Sequence, residues 1–142
     1  MHTCATLDSD TTTCWGLNDK GQLGDNSNTN RNTPVTVSGL TGVKQIAGGE
    51  YHTCAVLDSG TAKCWGLNSH GQLGDNSKTN RNTPVNVTGL TGVKQITAGG
   101  YHTCATLDSG TTKCWGWNGY GQLGDKSNTN RNTPVNVTGL TA

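Results

Sequence analysis

Phenylalanine is absent from these 142 residues, and charged residues make up only 13% of them. The formal net charge is +1, and the lysines and arginines are scattered singly with no basic run. That distribution leaves no electrostatic footprint for nucleic acid or for an anionic membrane surface, and neither is expected as a partner. No stretch approaches the roughly 18 consecutive apolar residues that a membrane-crossing helix needs. Helical periodicity is missing as well. Asn and Thr are abundant, and both suit turns and sheet edges better than helix interiors. No Ser-His-Asp set, paired carboxylates or phosphate-cradling loop stands out, so neither an enzyme nor a cofactor is expected.

What the chain does have is self-similarity. His2-Thr3-Cys4-Ala5 recurs as His52-Thr53-Cys54-Ala55 and His102-Thr103-Cys104-Ala105. Trp15-Gly16, Trp65-Gly66 and Trp115-Gly116 keep the same step, as do the Gly-Gln-Leu-Gly-Asp runs that end at Asp25, Asp75 and Asp125. The period is 50 without insertion, dividing the chain into residues 1–50, 51–100 and 101–142. A period of about 40 to 50 with strand-like content is the signature of β-propeller blades.

One copy carries up to four short strands. His52 to Leu57 and Thr61 to Gly66 flank Asp58-Ser59-Gly60, a three-residue hairpin loop with Gly where positive φ is needed. The first copy has Asp10 there, and its turn is expected to be looser. Asp75 to Thr83 is polar and reads as a surface loop. Pro84 to Val87 suits an edge strand, and Val93 to Ile96 alternates again. Closing the hairpin with Leu57 opposite Thr61 sets Cys54 against Cys64 in a non-hydrogen-bonded pair, where Cα atoms lie roughly 4.5 Å apart. Cys4 with Cys14 and Cys104 with Cys114 repeat the relation. A cross-strand disulfide in each copy fits this register. Two readings compete with it. One is free buried thiols; the other is a zinc site from His52, Cys54 and Cys64, which lacks close Cys-x-x-Cys spacing.

Gly99-Gly100-Tyr101-His102, Trp115-Gly116 and Asn118-Gly119-Tyr120-Gly121-Gln122-Leu123-Gly124 resemble the hallmark of the regulator-of-chromosome-condensation repeat family. The resemblance extends over essentially the whole chain. It implies a propeller, typically of seven blades. The paired cysteines look like those of its bacterial secreted or surface relatives, which implies an extracellular or cell-surface location.

Among candidate site residues, the repeated His52 and His102 are read as structural, and Trp15, Trp65 and Trp115 as packing between blades. Asp25, Asp75 and Asp125 are read as turn caps, since a calcium loop would need more oxygen donors than they and scattered Asn supply. Variation between copies clusters after Trp-Gly. There Trp117 replaces Leu17 and Leu67, and Tyr120 replaces Lys20 and His70. This turn is expected to be exposed, with Trp117, Tyr120, His70 and Lys20 forming a contact surface, because aromatic residues are over-represented at binding hot spots. Asn86 and Asn136 begin N-glycosylation sequons.

The favoured function is an extracellular, non-catalytic module for protein binding or scaffolding. A structural repeat protein assembling into a ring or filament, and an inhibitor of a secreted enzyme, are the alternatives. Only two Val-Lys-Gln-Ile strands accompany three hairpins. The first repeat thus lacks its first strand, and the third stops before the strand that would follow. The outer blades then lack neighbours, so the chain is expected either to pair with itself or to be part of a longer array of repeats.

Overall fold

Each Leu-Asp-Ser-Gly-Thr stretch folds as a tight turn. Leu57 N–H donates to Thr61 O at 2.9 Å, and Gly60 takes φ +84°. The structure, a computed structural model, describes residues 1–140. In the first turn Asp10 adopts the left-handed conformation with φ 67°. This turn was expected to be looser. Both Asp10 carboxylate oxygens lie 3.0 Å from Gly42 N–H and accept from it.

The elements are all strands. The first sheet runs β1 (His2–Thr6), β2 (Thr12–Gly16), β3 (Arg31–Thr36). The second runs β4 (Val43–Gly48), β5 (His52–Leu57), β6 (Ala62–Gly66), β7 (Arg81–Asn86). The third runs β8 (Val93–Ala98), β9 (His102–Leu107), β10 (Thr112–Gly116), β11 (Arg131–Asn136). All pairings are antiparallel, and no helix occurs among the described residues. The Val-Lys-Gln-Ile strand therefore joins the hairpin that follows it, so the second blade spans Val43 to Asn86. The architecture is an arc of three β-propeller blades, with β8 packing on β4 and β5, and β4 on β1.

The hairpin register is the expected one: His52 opposes Gly66, and Cys54 opposes Cys64. Disulfides join Cys4–Cys14, Cys54–Cys64 and Cys104–Cys114, each with Cα atoms 4.1 Å apart. With both sulfurs bonded to each other, the zinc reading and the free-thiol reading fall away. The proline strand starts earlier than expected, at Arg81 rather than Pro84. Gly66 pairs with Arg81 and Cys64 with Val85, so the residues between bulge. Pro84 is tolerated because β7 is an edge strand.

Arg81 is drawn into the sheet by the loop before it. Asp75 Oδ2 accepts from Arg81 Nε at 3.0 Å, and Asp75 Oδ1 accepts from Ser77 N–H, Ser77 Oγ and Asn68 Nδ2. Asn68 is fully buried and organises the rest. Its amide reaches Ser77 O and Thr79 O, its Oδ1 accepts from Leu73 N–H, and its own N–H donates to Asn80 Oδ1. Asn18 and Asn118 repeat the arrangement. The post-Trp turn is thus not exposed throughout, because its Asn is the polar core of the 75–80 loop, which has no apolar side chains to bury.

Both faces of each blade are apolar, and opposite faces meet. Ala55 and Trp65 on one face of the second blade pack with Cys14, Leu23 and Val37 of the first. Cys54, Val56, Ala62 and Cys64 on its other face pack against Trp115 and Ala105 of the third. The indole needs a glycine beneath it: a Cβ on Gly24 would lie 2.7 Å from Trp65 Nε1. Gly74 stands in the same relation to Trp115.

Each disulfide closes a loop with a sequence separation of 10, so each should stabilise by no more than about 3 kcal/mol. Intact mass without reductant should be lighter than the reduced chain by six hydrogens, one pair per disulfide. Reduction should lower the melting temperature.

Candidate functional site

At the junctions, the repeated histidines bridge blades. His2 Nε2 lies 2.7 Å from Thr53 Oγ1, and Thr53 Oγ1 donates to Gln22 O at 2.7 Å. His52, Thr103 and Gln72 O repeat this at 2.8 and 2.7 Å. The threonine hydroxyl has one proton, which goes to the carbonyl, so the histidine donates from Nε2 and its Nδ1 is bare. Accordingly, Nδ1 of His2 and of His52 is buried without a partner. The His52 ring lies over Gly49, where a Cβ would be 2.7 Å from its Cε1. A second junction device links β4 to β8, each the first strand of its sheet in chain order. There the Gln45 amide donates to Ile96 O at 2.9 Å and accepts from Ile96 N–H at 3.0 Å.

A proton on these rings would be a buried charge. Burial, then the amino-terminal charge, lowers His2 to about 4. Burial, then the neighbouring His2 and His102, lowers His52 to about 3. Burial also lowers His102. Serine, arginine and asparagine hydrogen bonds outweigh the burial that opposes them at Asp25 and Asp75, and hold both carboxyls below their ordinary value. At Asp125 the Ser127 hydrogen bond leads and takes it to about 2. These carboxylates are committed to the loop network, as the turn-capping reading expects. Among the described residues no group of three or more His, Cys, Asp or Glu is placed to hold a metal ion.

The open ends of the hairpins carry the variable residues. Gln22, Gln72 and Gln122 accept the backbone N–H of Lys20, His70 and Tyr120 at 2.8 to 2.9 Å. A fixed turn thereby presents a changing side chain. Trp117 N–H donates to Tyr101 O at 2.9 Å, which seats these two aromatics side by side. His70 reaches across the junction to both, with ring centroids 5.3 Å from Tyr101 and 6.1 Å from Trp117. Tyr120 meets Trp117 edge-on at 5.0 Å, and Tyr51 stacks on Tyr101 at 5.9 Å. Tyr120 is 85% exposed, whereas Trp117 and His70 are half-buried. Lys20 is half-buried in the first turn, outside these ring contacts. Asn86 and Asn136 are exposed at the ends of β7 and β11, away from this rim.

Tyr51 and Tyr101 belong to the rim but were not singled out in the sequence. The signal was there, as a repeated Tyr directly before the structural His. Glu50 is exposed beside them, and its charge is the first cause of the raised Tyr51 phenol, followed by Tyr101; Asp19 adds a smaller contribution. The rim is therefore electron-rich ring faces edged by two carboxylates, those of Glu50 and Asp19.

Family models of the regulator of chromosome condensation (RCC1) repeat match residues 14–56, 59–106 and 110–142, and a second model of that repeat matches 43–72 and 93–122. A comparison with curated proteins finds no match. Among solved structures, Prp20p from Saccharomyces cerevisiae is similar at 20% identity and TM-score 0.84, over 96% of this chain and 36% of that one. Human WBSCR16 is similar at 24% identity and TM-score 0.82, over 95% of this chain and 36% of that one. The CRINKLY WD40 ectodomain of the Arabidopsis thaliana receptor kinase ACR4 is 20% identical at TM-score 0.51, over 81% of this chain and 36% of that one. The chain thus spans about a third of the length of the structures it resembles. At these identities the likeness concerns the fold.

Below an ordinary histidine pKa of 6.5, the unfolded chain takes up protons that buried His2 and His52 refuse. Their contribution is present above pH 6.5 and is lost as pH falls toward 4 and then 3, whereas the carboxylates lose theirs only below 3.8. Urea midpoints should therefore fall between pH 6.5 and 4, and His52→Gln should flatten that slope. Trp65→Ala should cost about 3–5 kcal/mol, because the indole is fully buried. Trp117→Ala should leave the melting temperature nearly unchanged, and the reverse order in calorimetry would place the rim in the core.

Proposed function

The chain belongs to the regulator of chromosome condensation (RCC1) repeat family, and on that premise we propose that it is a non-catalytic, extracellular β-propeller module that binds another protein through the rim of Tyr51, His70, Tyr101, Trp117 and Tyr120. The observation that carries this reading is the ring cluster itself. It spans two blades, stands on turns fixed by Gln72 and Gln122, and is built partly from residues that differ between otherwise near-identical copies. Ring faces edged by Glu50 and Asp19 suit a partner segment that offers Lys or Arg beside an apolar side chain. Three disulfides support an oxidising compartment. Prp20p, of the same fold, is described with its binding to Gsp1p and histones, which supports protein contacts as a use of the architecture.

A second reading, stacking of further blades on this arc from the same chain or from another copy, is supported by both faces of the second blade being apolar and packed. Trp15, the counterpart of fully buried Trp65 and Trp115, is half-exposed beside an open groove of about 710 Å³.

Selection of displayed random peptides on the chain should enrich sequences with Lys or Arg next to an apolar residue. A synthetic peptide from the selection should lose at least about tenfold in affinity, or 1.4 kcal/mol, against the double variant Trp117→Ala, Tyr120→Ala. Peptides that are acidic, or that bind the double variant equally well, would move the contact surface elsewhere.

A further inference from the structure

The asparagines of the second blade divide by what they do. Those of the loop serve the fold: the Asn68 amide donates to Asp75, Ser77 and Thr79, and Asn80 Oδ1 accepts from Asn68 N–H at 2.8 Å. Asn86 stands outside that network. It is the last residue of β7, the outer strand of its sheet, which pairs with β6 alone. The next residue, Val87, is buried, and its N–H donates to Ala62 O at 3.0 Å. Asn86 and Thr88, on either side of it, are both exposed, as alternation along an extended backbone requires. Thr88 N–H donates to Gly74 O at 2.8 Å, which fixes the backbone behind the exposed side chain.

The second blade has a described blade packed on each face, so the exposure of Asn86 is that of a blade inside the stack. Asn136-Val137-Thr138 repeats the pattern at the end of β11, where Asn136 and Thr138 are again exposed. Asparagine, serine and threonine are abundant throughout the chain, yet only Asn86 and Asn136 have a Ser or Thr two residues on. The first copy carries Thr36-Val37-Ser38 there, at the end of β3, so the position changes its side chain while the strand stays the same.

We infer that Asn86, and with it Asn136, is an acceptor for an N-linked glycan on the outer edge of its blade. This rests on the extracellular reading above. The donor is a lipid-diphosphate-linked oligosaccharide, presented by a transferase of the secretory membrane. The Asn86 amide nitrogen bonds to C1 of the first sugar, and the C1–O bond to the diphosphate breaks. The diphosphate leaves on its lipid, the amide gives up one proton to the transferase, and nothing is oxidised or reduced. A saccharide is bulky and solubilising. At the end of β7 it acts on the sheet edge as Pro84 does within the strand, obstructing pairing with a strand from another molecule. It stands away from the aromatic rim, so the rim stays open to a partner.

The test sends the 142-residue chain, behind a secretory leader, through a eukaryotic cell that makes N-linked glycans. Intact mass and site occupancy are then measured before and after an amidase that cleaves the bond between Asn and sugar. The secreted chain should carry excess mass that the amidase removes, converting Asn86 and Asn136 to aspartate. Asn86→Gln and Asn136→Gln should each remove one glycan, and Thr88→Val should remove the glycan on Asn86. Thr36→Asn, which Val37 and Ser38 complete, should add a third. The glycosylated and glycan-free chains should bind the selected peptide equally well, and the double variant Asn86→Gln, Asn136→Gln should aggregate sooner on heating. A secreted, disulfide-bonded chain with Asn86 bare overturns the inference and leaves the extracellular reading standing. A chain retained in the cell with free thiols overturns both. A glycan that blocks peptide binding overturns its placement away from the rim, and a double variant that aggregates no sooner overturns its role at the edge.

Discussion

An indole laid on a glycine is the contact on which the rest of this structure depends. A four-stranded sheet with Cys54, Val56 and Ala62 on one face and Ala55 and Trp65 on the other cannot satisfy either face alone. Stacking solves the problem only if the backbone of the neighbouring blade comes within reach of the ring. Gly24 and Gly74 allow this twice over: they lack a Cβ, and they hold φ +70°. In a chain without phenylalanine, Trp65 and Trp115 are the largest fully buried side chains, and each belongs to a different junction.

Around that contact, specific hydrogen bonds join the blades, while the indole N–H of Trp65 and of Trp115 and Nδ1 of His2 and His52 stay buried without a partner. Thr53 and Thr103 each link a histidine to a carbonyl of the preceding blade, and Gln45 meets both backbone groups of Ile96. Such bonds add modestly to stability when made and cost more when one partner is left buried and bare. They therefore fix how blades align more than how strongly they adhere. The Arg81–Asp75 pair carries a half-exposed guanidinium, so its worth lies in orienting the loop and starting β7.

Rigid turns and a variable rim are two sides of one arrangement. Buried Asn68 and Gln72 take up the backbone groups of the turn, so the residue at position 70 has no structural duty. Lys20, His70 and Tyr120 can then differ while the fold stays constant. The aromatic cluster arises where this freedom meets Tyr51 and Tyr101, supplied by the start of the neighbouring hairpin.

Sequence alone determined what is local. The 50-residue period, the hairpin turns, the Cys54–Cys64 register and the disulfides follow from a three-residue loop that fixes which residues oppose each other. Exposure of Tyr120 and burial of Trp65 could also be read there. The start of β7 at Arg81 could not, because it depends on a carboxylate six residues earlier. Asn18, Asn68 and Asn118 were legible only as invariant members of a variable turn. Tertiary structure decided which sheet claims Val43–Gly48, which face of one blade meets which face of the next, and that residues 51, 70, 101, 117 and 120 share a rim. The contacts between blades join residues that are distant in sequence, and a repeat period states only that blades are alike, not how they lie against each other.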